Sequence, residues 1–193
     1  MGSVRLYGAT SGYLELQAPD VSPDAALVLP SDSLKSGLVH LHTETFSAKS
    51  SVSVDDVFTA EYDNYRVLIE LEASTTAVLN MRLRSSGVDN SASIYNRYSI
   101  YSAYNSTVAA EAPISQAAWI GWNCGATNCV FNYDLFAPAK NAYSIMRGFH
   151  KGVSAYAQTT NTTSVTTAFD GFSLLIGSGT ITGTIRVNGY RNS

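Results

Sequence analysis

The run Gly177-Ser-Gly-Thr-Ile-Thr-Gly-Thr-Ile-Arg-Val-Asn-Gly-Tyr190 constrains the fold more than any other part of the chain. In an extended conformation Ile181, Ile185 and Val187 fall on one face, and Thr180, Thr182, Thr184 and Arg186 fall on the other. Side chains alternate along a strand, so this is the pattern of a half-buried antiparallel strand. Gly177, Gly179, Gly183 and Gly189 punctuate it where a tight turn, a bulge or a close backbone approach is needed. Such a strand must dock into a sheet or fray.

The same period recurs upstream. In Leu38–Phe46, Val39 and Leu41 alternate with His40, His42 and Glu44. In Tyr65–Ala73, Tyr65, Val67, Ile69 and Leu71 oppose Arg66, Glu70 and Glu72. In Val78–Arg84, Leu79, Met81 and Leu83 oppose Asn80, Arg82 and Arg84. The short link between these two segments, at Ser74-Thr-Thr76, predicts a hairpin with acids facing bases. Further strands are expected at Ile94–Tyr104, Ala118–Trp122, Val130–Phe136, Ser144–Lys151, Gly152–Gln158, Ser164–Phe169 and Phe172–Ile176. Short strands spaced by roughly eight to twelve residues predict an all-β fold, an antiparallel β-sandwich of jelly-roll-like type. The best helical candidate is the short Ser53–Phe58, with Ser53 and Asp55 as capping residues.

Residues 1–33 read differently. Val4–Tyr7 and Tyr13–Leu16 are short alternating strands, followed by Pro19, Pro23 and Pro30, three of the chain's five prolines. Proline fixes φ and lacks a ladder donor, which disfavours a compact sheet core here. Leu14, Leu16, Leu27, Val28 and Leu29 therefore need an outside partner, most simply other copies of the same segment. The alternative is an arm folded back on its own domain. Residues 34–193 form the remaining, principal domain.

Charged residues make up 14% of the chain, against about 25% in ordinary globular proteins. The net charge of −3, with no Lys/Arg run, argues against nucleic-acid binding by phosphate neutralisation. No apolar run approaches the roughly eighteen residues of a membrane span, so no membrane insertion is expected. The first residues lack the basic-then-apolar pattern of a secretory leader, which predicts synthesis and assembly in the cytosol.

Three stretches resemble virion proteins of tailed bacteriophages. "SGTITGTIRVNGYR" resembles the closing strand of tail-fibre and head-fibre β-sandwich domains. "GATSGYLELQAPDVSPDAALVLPS" is similar to a short fibre repeat that forms an intertwined trimeric stalk before a head domain. "FTAEYDNYRVLIELEASTTAVLNMRLRSSG" resembles the front half of such a head domain. Asn188 stands where that closing strand commonly has an aromatic residue. The resemblance implies a homotrimer attached to other tail or capsid proteins through its N-terminal segment. It would be assembled in the host cytoplasm and be extracellular after release. The implied role is recognition of a host-surface glycan by a tail fibre or receptor-binding protein. A capsid decoration or head fibre without receptor role, and a glycan-degrading tail enzyme, are the alternatives.

No motif of nucleophilic, metalloprotease or phosphate-binding chemistry is present, so no enzymatic activity and no cofactor are expected. Asp55/Asp56 and Glu70/Glu72 are the paired carboxylates a glycosidase would need. His40 and His42 have H-x-H spacing, which in a trimer can bring six nitrogens to one axis; the alternative is two exposed strand histidines. Cys124 and Cys129 flank four residues including Gly125, a spacing that allows a disulfide across a turn or leaves two free thiols. The aromatic residues are the better lead. Tyr95, Tyr98, Tyr101 and Tyr104 crowd one segment, and Trp119 and Trp122 flank another. Tyr and Trp combine a flat apolar face with a polar handle and suit sugars and interfaces. Alternation puts Tyr95 and Tyr101 on one side and Tyr98 and Tyr104 on the other, so at least one tyrosine pair and one of the two tryptophans are expected in the core or a subunit interface; the receptor-contact candidates are Trp119, Trp122, Tyr98, Tyr101 and Tyr104. The loops 123–128 and 159–163 are equal candidates.

Overall fold

The computed structural model describes residues 3–7, 13–17, 37–103, 108–153 and 155–191. The chain divides into two compact units, Met1–Leu34 and Lys35–Ser193. In the first, β1 (Ser3–Tyr7) and β2 (Tyr13–Gln17) pair antiparallel, with Val4 opposite Leu16 and Leu6 opposite Leu14. Leu14 and Leu16 thus lie on β2, whereas Leu27, Val28 and Leu29 lie outside the described residues.

The second unit continues with β3 (Leu38–Lys49), β4 (Ser51–Val54), β5 (Asn64–Ala73), β6 (Ala77–Ser85), β7 (Val88–Asp89) and β8 (Tyr95–Ala103). Then come β9 (Val108–Glu111), β10 (Trp119–Cys124), β11 (Cys129–Phe136), β12 (Ile145–Lys151), β13 (Ala155–Thr163), β14 (Gly171–Ile176) and β15 (Ile181–Tyr190). An eight-stranded sheet has the order β3-β15-β5-β11-β12-β13-β8-β9. A five-stranded sheet has the order β10-β6-β14-β4, with β7 paired to β6. All pairings are antiparallel. The chain changes sheet repeatedly, for example from β4 to β5, β5 to β6, β10 to β11 and β14 to β15. Among the described residues there is no helix. The unit is the expected all-β sandwich.

Alternation builds the core. β5 buries Tyr65, Val67, Ile69, Leu71 and Ala73, while Glu70 and Glu72 are exposed. β11 buries Phe131, Tyr133 and Leu135, and β15 buries Ile181, Ile185 and Val187. From the other sheet, Leu79, Met81 and Leu83 of β6 and Phe172 and Leu174 of β14 join the same cluster. Each such side chain removed from water contributes about 1.5–3 kcal/mol before conformational entropy is counted. The buried Tyr65 hydroxyl donates to the Thr59 carbonyl at 2.8 Å and accepts from the Thr59 amide at 2.7 Å, so its burial leaves no polar debt. Gly183 lets β15 close on β5, since a Cβ there would lie 2.2 Å from the Glu70 carbonyl oxygen.

Three local expectations are corrected. β5 and β6 do not form a hairpin; they lie in different sheets. Two apolar rows can meet side by side above a third layer or face to face, and periodicity does not distinguish these. Here the link Ser74–Thr76 is a corner, tied by Ser74 N–H to the Thr180 carbonyl at 2.8 Å. The charged faces consequently part company: Glu70 approaches Arg186 at 3.8 Å, and Arg84 pairs with Asp55 at 2.6 Å and with Asp89. The helical candidate is also overturned, because Ser53 and Val54 belong to β4, and the N–H groups of Val57 and Phe58 both bond the Asp170 carbonyl at 2.9 Å. Ser164–Phe169 is irregular rather than a strand, whereas β4, the two-residue β7 and β9 are strands not anticipated.

Candidate functional site

Over part of β8 and β13 the usual polarity of a sandwich sheet is reversed, although Tyr95, Ala155 and Ala157 are also buried on the inward face. The inward positions carry Arg97, Ser99, Thr159, Asn161 and Thr163, all buried. The outward positions carry Tyr98 (47% exposed), Ile100 (60%) and Tyr156 (58%). Register extends this outer patch sideways. Ser102 of β8 lies opposite both Tyr156 of β13 and Val108 of β9, and Ile100 lies opposite Gln158. Gln158 in turn faces Phe149 of β12, and Val108 and Phe149 are 69% and 58% exposed.

Two adjoining grooves run over this face. One, of about 490 Å³, is lined by Tyr98, Ile100, Ala110, Glu111, Gln158 and Thr160 among others. The second, of about 340 Å³, is lined by Ile100, Val108, Phe149, Tyr156 and Gln158 among others. Glu111 is the charged member, and it is ion-paired to Arg97. The grooves thus offer aromatic and aliphatic faces beside amide and hydroxyl groups, with little free charge. That chemistry suits a neutral, hydroxyl-rich or flat apolar surface.

The polar layer beneath holds the patch in place. Ser99 Oγ donates to Thr159 Oγ1 at 2.9 Å, and that hydroxyl lies 2.9 Å from Asn161 Oδ1 and 3.2 Å from the Tyr98 carbonyl. Arg97 reaches the Gly121 carbonyl of β10 at 3.4 Å as well as Glu111. Deeper in, Tyr133 Oη and His150 Nδ1 are 3.1 Å apart. Burial, reinforced by the Arg97 guanidinium, pushes His150 down from 6.5 to about 3, so the ring is neutral at physiological pH. On the same outer face, Arg66 Nε donates to Asp134 Oδ1 at 2.8 Å, and Tyr190 Oη donates to that oxygen at 2.5 Å. Burial would raise the Asp134 carboxyl, but Arg66 and Tyr190 outweigh it and hold the group below its usual range.

The structure sorts the aromatic candidates. Tyr98 belongs to the outer patch, and Tyr101 is half-buried on the opposite side of β8. Trp119 is 1% exposed, packs edge-on to Tyr95 at 5.5 Å and donates its indole N–H to the Thr162 carbonyl at 3.3 Å. It is a core residue, not a contact residue. Trp122 lies on β10, and Tyr104 lies outside the described residues. Phe149, Tyr156, Ile100 and Val108 were not singled out from sequence. The available signal was that β13 offers only Ala155 and Ala157 as apolar inward residues, which leaves Tyr156 on the other face.

The remaining candidates are dispersed. His40 and His42 lie on β3, an edge strand, and a register irregularity falls between them. His40 Nε2 is 3.1 Å from Thr43 Oγ1, and His42 Nε2 is 3.5 Å from Glu44. Among the described residues no group of three or more His, Cys, Asp or Glu is placed to hold a metal ion. Cys124 and Cys129 are both fully buried and are not joined by a disulfide. Comparison with family models, with curated proteins and with solved structures finds no match to this chain.

Proposed function

We propose that the protein is a homotrimeric virion component of a tailed bacteriophage, a tail-fibre or receptor-binding protein. Its sandwich unit meets a host-surface glycan through the outer face of β8, β9, β12 and β13. The supporting observation is the reversed polarity there: Tyr98, Ile100, Val108, Phe149 and Tyr156 face solvent while Arg97, Ser99, Thr159 and Asn161 are buried. Exposed aromatic rings beside Gln158 and Thr160 stack on sugar faces and bond sugar hydroxyls, while Arg147, opposite Thr160 on the same face, adds a cation at the edge of the groove. Three such faces in one particle multiply weak single-site contacts.

The test combines native mass with cell binding. Full-length protein and a chain starting at Leu34 are weighed under native conditions, and the full-length protein is assayed on a panel of bacterial strains and on a glycan array. A trimer that becomes monomeric on truncation, binds cells, and loses binding in the Tyr98→Ala/Phe149→Ala double variant without changing mass supports the proposal. A double variant that dissociates assigns the face to subunit contact instead. A full-length monomer that binds particles but no cell overturns the proposal in favour of a capsid decoration protein.

A further inference from the structure

The two cysteines stand at a corner of the sandwich. Cys124 ends β10, which pairs with β6 in the five-stranded sheet, and Cys129 opens β11, which pairs with β5 in the eight-stranded sheet. Residues 125–128 carry the chain between sheets, directly over the β5–β6 corner. Ala73 N–H bonds the Gly125 carbonyl at 2.9 Å, and a Cβ at Gly125 would lie 3.0 Å from Thr76 Oγ1. The far end of the turn is held by Lys151 Nζ, which donates to the Asn128 carbonyl at 2.8 Å. Both thiols are fully buried at the two ends of this one turn, each the main influence on the other's ionisation, and Cys129 Sγ also donates to the Thr127 carbonyl at 3.4 Å. They are the only two cysteines in the chain, so an intrachain disulfide can join only these two.

We propose that Cys124 and Cys129 are a covalent modification site, a dithiol that closes to an intrachain disulfide stapling the two sheets, with a small-molecule disulfide such as oxidised glutathione as the oxidant. The attack begins at Cys129. The hydrogen bond from Cys124 lowers its pKa against the opposing effect of burial, and the Gly125 amide and the Lys151 ammonium add to the lowering. Cys124 is the resolving thiol, because the ammonium beside the pair, Lys151 Nζ, is anchored at the Asn128 carbonyl next to Cys129. The Cys129 thiolate forms a bond to one glutathione sulfur and the glutathione S–S bond breaks, expelling one glutathione thiolate. Cys124, giving up its proton, then attacks the Cys129 sulfur and expels the second. Two protein thiols are oxidised, one glutathione disulfide is reduced to two thiols, and the two protons end on the released thiolates. Access is through opening of the exposed 126–128 turn, or before the corner has folded.

The test uses full-length protein, prepared reduced and held at neutral pH in a reduced/oxidised glutathione mixture. A parallel sample is refolded from denaturant in the same buffer, so burial cannot mask reactivity. Samples are quenched in acid, alkylated and weighed intact. The expected result is loss of both alkylatable thiols together, a mass lower by two hydrogens, no glutathione adduct and a higher thermal midpoint. The Cys124→Ser variant should instead hold one glutathione on Cys129 and show no such rise. Thiols that remain alkylatable in the refolded sample, a stable glutathione adduct on the unmodified sequence, or a bond between chains would each overturn the proposal. None of these outcomes depends on glycan binding or on trimerisation.

Discussion

Replacing His150 with glutamine should flatten the acid side of the stability profile. The ring is 2% exposed, stacked on Phe131 with centroids 5.5 Å apart, and bonded to the Tyr133 hydroxyl. Its pKa is about 3 in the folded protein, against 6.5 for the free side chain. Above pH 6.5 the ring is neutral in both states, and its contribution is fully present. Below that value the unfolded chain takes up a proton that the folded one refuses, so stability falls as pH falls, down to about pH 3. One proton of difference is worth about 1.4 kcal/mol per pH unit, which accumulates to about 2 kcal/mol by pH 5. Carboxylate linkage lies mostly below this window, which isolates the imidazole. Urea unfolding followed by tryptophan fluorescence at pH 7, 6 and 5 measures it. The His150→Gln protein, although weaker at pH 7, should lose about 2 kcal/mol less than the unmodified sequence between pH 7 and pH 5. Equal losses in both proteins would mean that His150 protonates in the folded state, and the burial argument would fail.

Trp119→Ala removes the largest fully buried side chain among the described residues and should cost about 3–5 kcal/mol in urea unfolding, whereas Tyr98→Ala should stay within about 0.5 kcal/mol. Gly148→Ala sets a Cβ 2.0 Å from the Asn132 carbonyl oxygen on the neighbouring strand, so β11 and β12 must part; expression should shift to the insoluble fraction, with loss of the β-sheet circular dichroism signal. Asp134→Asn should cost about 1.5–3 kcal/mol at pH 7 through its bonds to Arg66 and Tyr190. Because the folded carboxyl titrates below its unfolded value, that difference is present above the unfolded pKa and should shrink as denaturation is measured from pH 5 towards pH 2.

Strand positions were largely legible because Tyr65–Leu71, Leu79–Leu83 and Ile181–Val187 each bury alternate residues in one common core. Partnership was not. β5 takes β11 and β15 as neighbours, both far along the chain, and a local pattern carries no information about them. The short β4 escaped notice because its serines and the following Asp55 resemble a helix cap, although Val52 and Val54 are buried against β14. The outer patch was hidden by the rule that served elsewhere. In β8, Tyr98 and Ile100 face solvent, yet Arg97 and Ser99 share the buried side with Tyr95. Only the three-dimensional pairing of Arg97 with Glu111, and of Ser99 with Thr159, makes that inversion affordable.

The position of β15 between β3 and β5 sets a schedule for synthesis. Leu38 is paired to Tyr190 and Asn64 to the same tyrosine, so two strands made early are joined only through one made more than a hundred residues later. Until Ile181–Tyr190 has left the ribosome, β3 has no neighbour in its sheet and β5 has one open flank. A nascent chain in that state exposes unpaired strand edges, the kind of surface that promotes wrong pairing between chains. Truncated translation products ending before Ile181 therefore cannot mature into a smaller version of the sandwich. The eight-stranded sheet is thus closed around its β3 edge only when β15 docks between β3 and β5.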